Sequence, residues 1–149
     1  MSDEVIKIIP ADPRFIPDEE AIQKAQMAFL KIIQNADEIK VSIQENVIFV
    51  DQGENFERVL CPFCGCDCSE WWNEEMERAS ENNFLELEVM ISCCKKNTTL
   101  NDLKYEWPAG FGRFIMEAIN PQWDNIHETG KKALEKILGC DLKIIKARY

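Results

Sequence analysis

The chain has 149 residues, is 46% hydrophobic and 30% charged, and carries a formal net charge of −10 at pH 7. That size and composition suit one globular domain with a core of its own, and no apolar run approaches the roughly 18 residues of a membrane span. Acids dominate residues 1–110, and only residues 111–149 are faintly basic, which argues against nucleic-acid binding, because that depends on clustered cations.

The first residues, MSDEVIKIIPADPRF, place acids where a signal peptide has its positive region, and the apolar run is too short. A soluble cytoplasmic protein is expected. VIKIIP (Val5 to Pro10) reads as a buried strand, followed by a proline- and aspartate-rich loop. From Asp18 onward, Ile22, Ala25, Phe29, Ile32, Ile33 and Ala36 form a helical stripe, with Asp18 as its cap. EIKVSI and VIFVD are β-rich runs separated by QEN, which predicts a hairpin.

Ser69 is placed to cap a helix that carries Trp72, Met76 and Ala79 on one face. FLELEVMI alternates, with Leu85, Leu87, Val89 and Ile91 on one side, and predicts a half-buried strand leading to Cys93. The segment after it reads as loop, with a short strand at Thr98 to Leu100. Phe111, Phe114, Ile115 and Ala118 predict a helix ended by Asn120-Pro121. A last helix is expected from Glu128 to Leu138 with Gly139 as its terminator, and DLKIIKARY as a final strand. This order predicts an α+β fold: a single domain over residues 1–149, with a mostly antiparallel sheet, helices on one face, and a zinc-ribbon-like metal-binding insertion at about 58–96.

Seven cysteines are an odd number for a disulfide framework, and the cytosol keeps thiols reduced. Metal ligation is the stronger reading. CPFC sets Cys61 and Cys64 two residues apart, and Gly65 lets the backbone turn beneath the sulfurs. Cys93 and Cys94 stand at the end of the predicted strand, so two segments converge as in a zinc ribbon. The expected cofactor is one structural zinc ion on Cys61, Cys64, Cys93 and Cys94, with Cys66 or Cys68 as a substitute ligand. An iron–sulfur cluster, a thiol–disulfide centre and metal-free thiols remain open at this stage. The single histidine, His127, lies far along the chain, and no H-E-x-x-H pattern is present. A four-sulfur set closes the coordination sphere, which fits a structural rather than a catalytic ion.

NDLKYEWPAGFGRF offers Asp102, Tyr105, Trp107 and Arg113 as candidate partner-binding residues, since Trp, Tyr and Arg are the usual interface anchors. The alternative is that its aromatics staple the loop to the core beside Trp71 and Trp72. Asp51, Glu54 and Glu57 precede the first cysteines and suit acid–base chemistry or a solvated surface.

Taken together, DQGENFERVLCPFCG, WW, CC and TLNDLKYEWPAGFGRF resemble a group of short bacterial proteins that carry GENFE, CPxCG, WW, CC and LNDLxYxWPxGF in that order. The resemblance spans most of the chain. It implies a bacterial source and supports the pairs Cys61/Cys64 and Cys93/Cys94 as ligands. It brings no catalytic residue, and its pattern does not call for cysteine at 66 or 68. The function expected is a non-enzymatic, zinc-stabilised module that binds another protein, of immunity type or as a regulatory adaptor. Two alternatives are an enzyme that uses the carboxylates near the metal loop with Asp102 and Arg113, and a thiol redox or metal-sensing protein working through Cys66 and Cys68.

Overall fold

The structure, a computed structural model, describes residues 3–33, 35–121 and 126–149. Its largest sheet has four antiparallel strands: β1 (Glu4–Pro10), β2 (Glu38–Val50), β7 (Gly110–Ile119) and β8 (Leu142–Arg148), in the order β2-β7-β1-β8. Between β2 and β7 the chain builds a second region from short pieces. These are β3 (Val59–Leu60), helix α2 (Ser69–Ser80), β4 (Glu88–Ile91), β5 (Lys96–Thr99) and β6 (Lys104–Tyr105). β3 pairs with β6 and β4 with β5, both antiparallel. The arrangement is the α+β fold expected.

Helices α1 (Glu19–Ile32) and α3 (Glu128–Leu138) cover one face of the large sheet. Ala25 and Phe29 of α1 and Leu134 and Leu138 of α3 close on Ile6, Ile8, Phe114, Met116 and Ala118. These strand positions are two residues apart, so they share a face. The opposite face holds a smaller cluster of Ile9, Val50, Ile115 and Ile145. Asp18 caps α1 by accepting the Ala21 N–H at 2.8 Å. Gly139 ends α3 at φ 75°, a left-handed position that glycine takes without strain.

Three expectations for local structure need correction. The predicted hairpin in residues 38–51 is one long strand, β2, along β7, and its register shifts between Ile43 and Ile48. QEN does mark an irregularity, but it is a bulge. Arg113 donates to the Gln44 carbonyl at 3.0 Å within it, and the bulge lets Val47 turn into the second region's core.

The predicted helix at Phe111 to Ala118 is β7, a central strand. Its apolar spacing of i, i+3, i+4, i+7 is also what a strand buried on both faces shows, because a continuous apolar run carries no helical signature of its own. Gly110 fits the strand reading, since a Cβ there would lie 3.0 Å from Ile9 and from the Lys143 side chain. The third correction is at residues 84–91, where the strand is shorter than expected. β4 starts at Glu88, and Leu85 is exposed.

Lys7 is a buried cation on β1, and it is fully engaged. Its Nζ donates to the Asp51 carbonyl at 2.9 Å, to Asp51 Oδ1 at 3.1 Å and to the Tyr149 hydroxyl at 2.5 Å. Among the described residues, every buried side-chain nitrogen and oxygen has a hydrogen-bond partner.

Candidate metal centre

The region between β2 and β7 has its own core of Val59, Trp72, Ile91, Leu100, Tyr105 and Phe111, with Phe49 and Phe56 packed against it. Trp72 is the hub. Phe56 stacks on it at 5.4 Å between centroids, and Phe49 and Tyr105 meet it edge-on at 5.8 and 5.9 Å. Its Nε1 donates to the Tyr105 hydroxyl at 3.0 Å, and that hydroxyl donates to the Leu100 carbonyl at 2.6 Å. This chain of bonds ties α2 to the loop before β6 and sets the floor on which the cysteines rest.

The first cysteine pair follows β3 in a closed loop. The Cys61 N–H donates to the Cys66 carbonyl at 2.9 Å, and the Gly65 N–H donates to the Cys61 carbonyl at 2.9 Å. Gly65 takes φ 77°, and no atom lies within 4 Å of where its Cβ would sit. Glycine is therefore favoured there by backbone conformation, not by space. The second pair sits in the turn between β4 and β5. The Lys95 N–H donates to the Ile91 carbonyl at 2.8 Å, and Lys95 itself has φ 53°. Both pairs thus sit just ahead of a left-handed residue that folds the backbone under the sulfurs.

The two turns bring Cys61, Cys64, Cys93 and Cys94 together, with all four sulfurs within 4.8 Å of one another. Cys61 Sγ lies 3.9 Å from Cys94 Sγ, and Cys64 Sγ lies 3.6 Å from Cys93 Sγ. A tetrahedral ion with metal–sulfur bonds of about 2.3 Å sets its sulfurs about 3.8 Å apart. Those two pairs match that spacing, and the four residues could hold one metal ion. The Phe63 and Cys64 backbone N–H groups point at Cys61 Sγ, at 3.3 and 3.5 Å, as they would to stabilise a thiolate.

The electrostatics of the bare cluster are unbalanced. Hydrogen bonding, led by the Cys66 backbone N–H, lowers the Cys64 thiol to about 6. Sharing a proton with Cys64, together with burial, pushes Cys94 up to about 12. One thiolate forms readily and then opposes ionisation of its neighbours. A divalent cation removes that conflict, because it is the largest local charge and holds thiols deprotonated.

Cys66 and Cys68 differ sharply. Cys68 is buried, its Sγ lies 3.5 Å from the Val59 carbonyl, and it occupies the N-cap position of α2. Burial pushes its thiol up to about 11. Ser69, the expected cap, is instead the first helical residue. Its hydroxyl accepts the Val59 N–H at 3.0 Å and donates to Asp67 at 2.6 Å. Cys66 is exposed and lines a surface hollow together with Cys93. The side-chain relation of Cys66 to the cluster is something spacing alone does not reveal, because it depends on how the Cys61–Cys68 loop closes.

The other candidate residues are spread over the surface and core. Tyr105 is buried in the aromatic cluster. Asp102 accepts from the Thr99 hydroxyl at 2.7 Å, and Arg113 serves the β2 bulge. Trp107 is 42% exposed at φ 58°, an uncommon conformation for a bulky residue. The fully buried Gln52 amide donates to its carbonyl at 2.9 Å and holds that conformation in place. Trp107 borders two adjoining hollows that also share Lys146. Asp51 is held by Lys7 and by the Tyr149 hydroxyl at 2.9 Å, apart from Asp102 and Arg113 in its bonding. Of the carboxylates suggested for acid–base chemistry, Asp51, Glu57 and Asp102 are thus each engaged by a different neighbour.

No helix among the described residues is long and apolar enough to cross a membrane. Comparison of the chain with protein-family models, with curated proteins and with solved structures gives no match.

Proposed function

We propose that the chain is a zinc-stabilised, non-enzymatic module that binds another protein. The observation that carries this reading is the closed set of four sulfurs on Cys61, Cys64, Cys93 and Cys94. Four protein thiolates fill a tetrahedral sphere and leave no position for a substrate. Thiolate ligands at tetrahedral spacing favour zinc among divalent ions, and sulfurs within 4.8 Å of one another surround one ion rather than a cluster of several irons. The zinc clamps the β3–α2 loop to the β4–β5 turn, and its binding energy is folding energy.

Trp107 is the residue we assign to the partner. It is large, exposed and held in a strained backbone conformation by a dedicated buried amide, and such strain concentrates at functional positions. Trp is also the residue type most often found to anchor a protein interface. An immunity-type or regulatory adaptor role in the cytoplasm of a bacterium, where thiols stay reduced, accords with the sequence resemblance and the acidic surface.

Native mass spectrometry tests the metal. One zinc per chain is expected, and a fully folded, metal-free protein would overturn the reading. Crosslinking in cells followed by mass spectrometry tests the partner. A protein joined to the wild type and lost on Trp107→Ala, with zinc content unchanged, is the expected result. Unchanged crosslinks in that variant would overturn the assignment of Trp107.

A further inference from the structure

We infer that Cys66 is a fifth thiol ligand of the metal centre, one that takes the place of Cys93 and lets a thiophilic divalent cation enter and leave from the exposed side. This rests on the four-cysteine centre proposed above. Three observations carry it. The cluster has an inner and an outer side: Cys61 is buried and Cys94 half-buried, whereas Cys64 and Cys93 are exposed. Cys66 is on the outer side, sharing a hollow with Cys93. Finally, its position is fixed, because its carbonyl accepts the Cys61 N–H at 2.9 Å and the bridge between Leu60 and Asp67 closes the loop just beyond it.

Cys68 borders the same hollow, but its side chain is buried with Sγ turned to the Val59 carbonyl at 3.5 Å, which leaves Cys66 as the accessible extra thiol. Cys61 and Cys94 are excluded as departing ligands, since both pack into the core of the region. The step is a ligand substitution. The Cys66 thiol gives its proton to water as its sulfur–metal bond forms. The Cys93 sulfur–metal bond breaks, and Cys93 takes a proton from water. No electron is transferred, and the number of thiolates on the ion stays at four. Lys95 and Lys96 follow Cys94 directly and are exposed. Lys96 Nζ lies 5.0 Å from the centroid of the Phe63 ring, in the turn between Cys61 and Cys64.

Cobalt(II) is the probe, because its thiolate absorption reports the number of bound sulfurs. The wild type and Cys93→Ser are both expected to give a four-thiolate spectrum, the second because Cys66 fills the vacancy. The double variant with Cys66→Ser and Cys93→Ser is expected to fall to three. In the wild-type background, Cys66→Ser is expected to keep four thiolates but to slow transfer of zinc to a strong chelator severalfold. Identical three-sulfur spectra for Cys93→Ser and the double variant would overturn the inference, as would unchanged transfer kinetics in Cys66→Ser. Either result would leave the four-cysteine centre standing. A wild type that takes up no cobalt would remove both.

Discussion

The two halves of the molecule solve the problem of holding a fold by different means. The sheet half uses strands of 7 to 13 residues, two helices and a continuous apolar layer. The cysteine half has two-stranded pairs of only 2 and 4 residues, one helix and a knot of aromatic rings. Isolated two-stranded sheets are marginal in water. The first half closes mainly by burial. The second buries less regular surface, and a metal ion on its four cysteines would supply a cross-link of the kind small scaffolds need. They meet at β7, whose Phe111 packs into the aromatic cluster while Phe114, Met116 and Ala118 pack under the helices.

Removing the cross-link is the strongest way to break this comparison. Cys61→Ser, or chelation of the wild type, is expected to cost at least about 4 kcal/mol, a loss typical of destroying a metal site. Hydrogen exchange should then report loss of protection over residues 59–105, with β1, β7, β8, α1 and α3 still protected. Equal loss in both halves would show that the sheet half does not stand on its own burial.

The junction comes next. Phe111 is fully buried, with Phe49 and Phe84 at 5.2 and 5.4 Å between centroids. Phe111→Ala should destabilise by about 3–5 kcal/mol. Unlike chelation, it should separate the halves in a thermal melt, giving two transitions in place of one. Below it ranks Tyr105→Phe, which removes the acceptor of the Trp72 Nε1 proton and strands a buried donor at a cost of about 1–3 kcal/mol. Chemical denaturation should place that loss in the cysteine half.

How far this division was legible in the sequence follows from the same physics. CPFC and the CC pair carry their chemistry in residue type, so the ligand group could be read before any fold. α1 shows a clean apolar stripe with its cap at Asp18, and α3 is marked by its terminator Gly139. β7 did not. GFGRFIMEAI is apolar on both faces because helices cover one side and the Ile9–Ile145 cluster the other, and burial on both sides erases the period-2 signal. β2 is hard to read for a related reason. QEN resembles a turn, and only the partner strand shows that Arg113 turns it into a bulge. The role of Cys66 depends on loop closure between residues far closer in space than any spacing rule specifies.

The sheet half should also be distinguished by its response to acid. Burial raises the Asp51 carboxyl, but the Lys7 charge and hydrogen bonds from Lys7, Tyr149 and the Gly53 N–H outweigh it and hold the group below its usual 3.8. A depressed folded value means that this stability is fully present above 3.8 and is lost as pH falls through the folded value. Asp51→Asn should therefore flatten the acid limb of the stability profile below that range. With a metal ion on its four cysteines, the cysteine half should fail by a separate route, since protons displace such an ion from thiolates. Zinc release followed against pH in wild type and Asp51→Asn should give the same curve; a shifted curve would mean that the halves titrate together.

The smallest stability effect is expected where the functional effect is largest. Trp107 at φ 58° carries strain that glycine would relieve, of order 1–2 kcal/mol for a residue in the left-handed region. Trp107→Gly also gives up the contacts of a ring that is 42% exposed, including the 3.4 Å bond from its Nε1 to Glu57. These terms oppose each other, so the melting temperature should move by little in either direction. Gln52 still donates to the backbone carbonyl at position 107, because that bond does not involve the ring. If Trp107 were part of what holds the cysteine half together, its loss would resemble a milder Cys61→Ser, with lower protection over residues 59–105. If its strained pose serves a partner, stability and zinc content should stay at wild-type values while the crosslinked partner is lost. The second outcome assigns the conformation to binding, because a bulky residue kept at positive φ with no gain in stability has to be retained for some other reason.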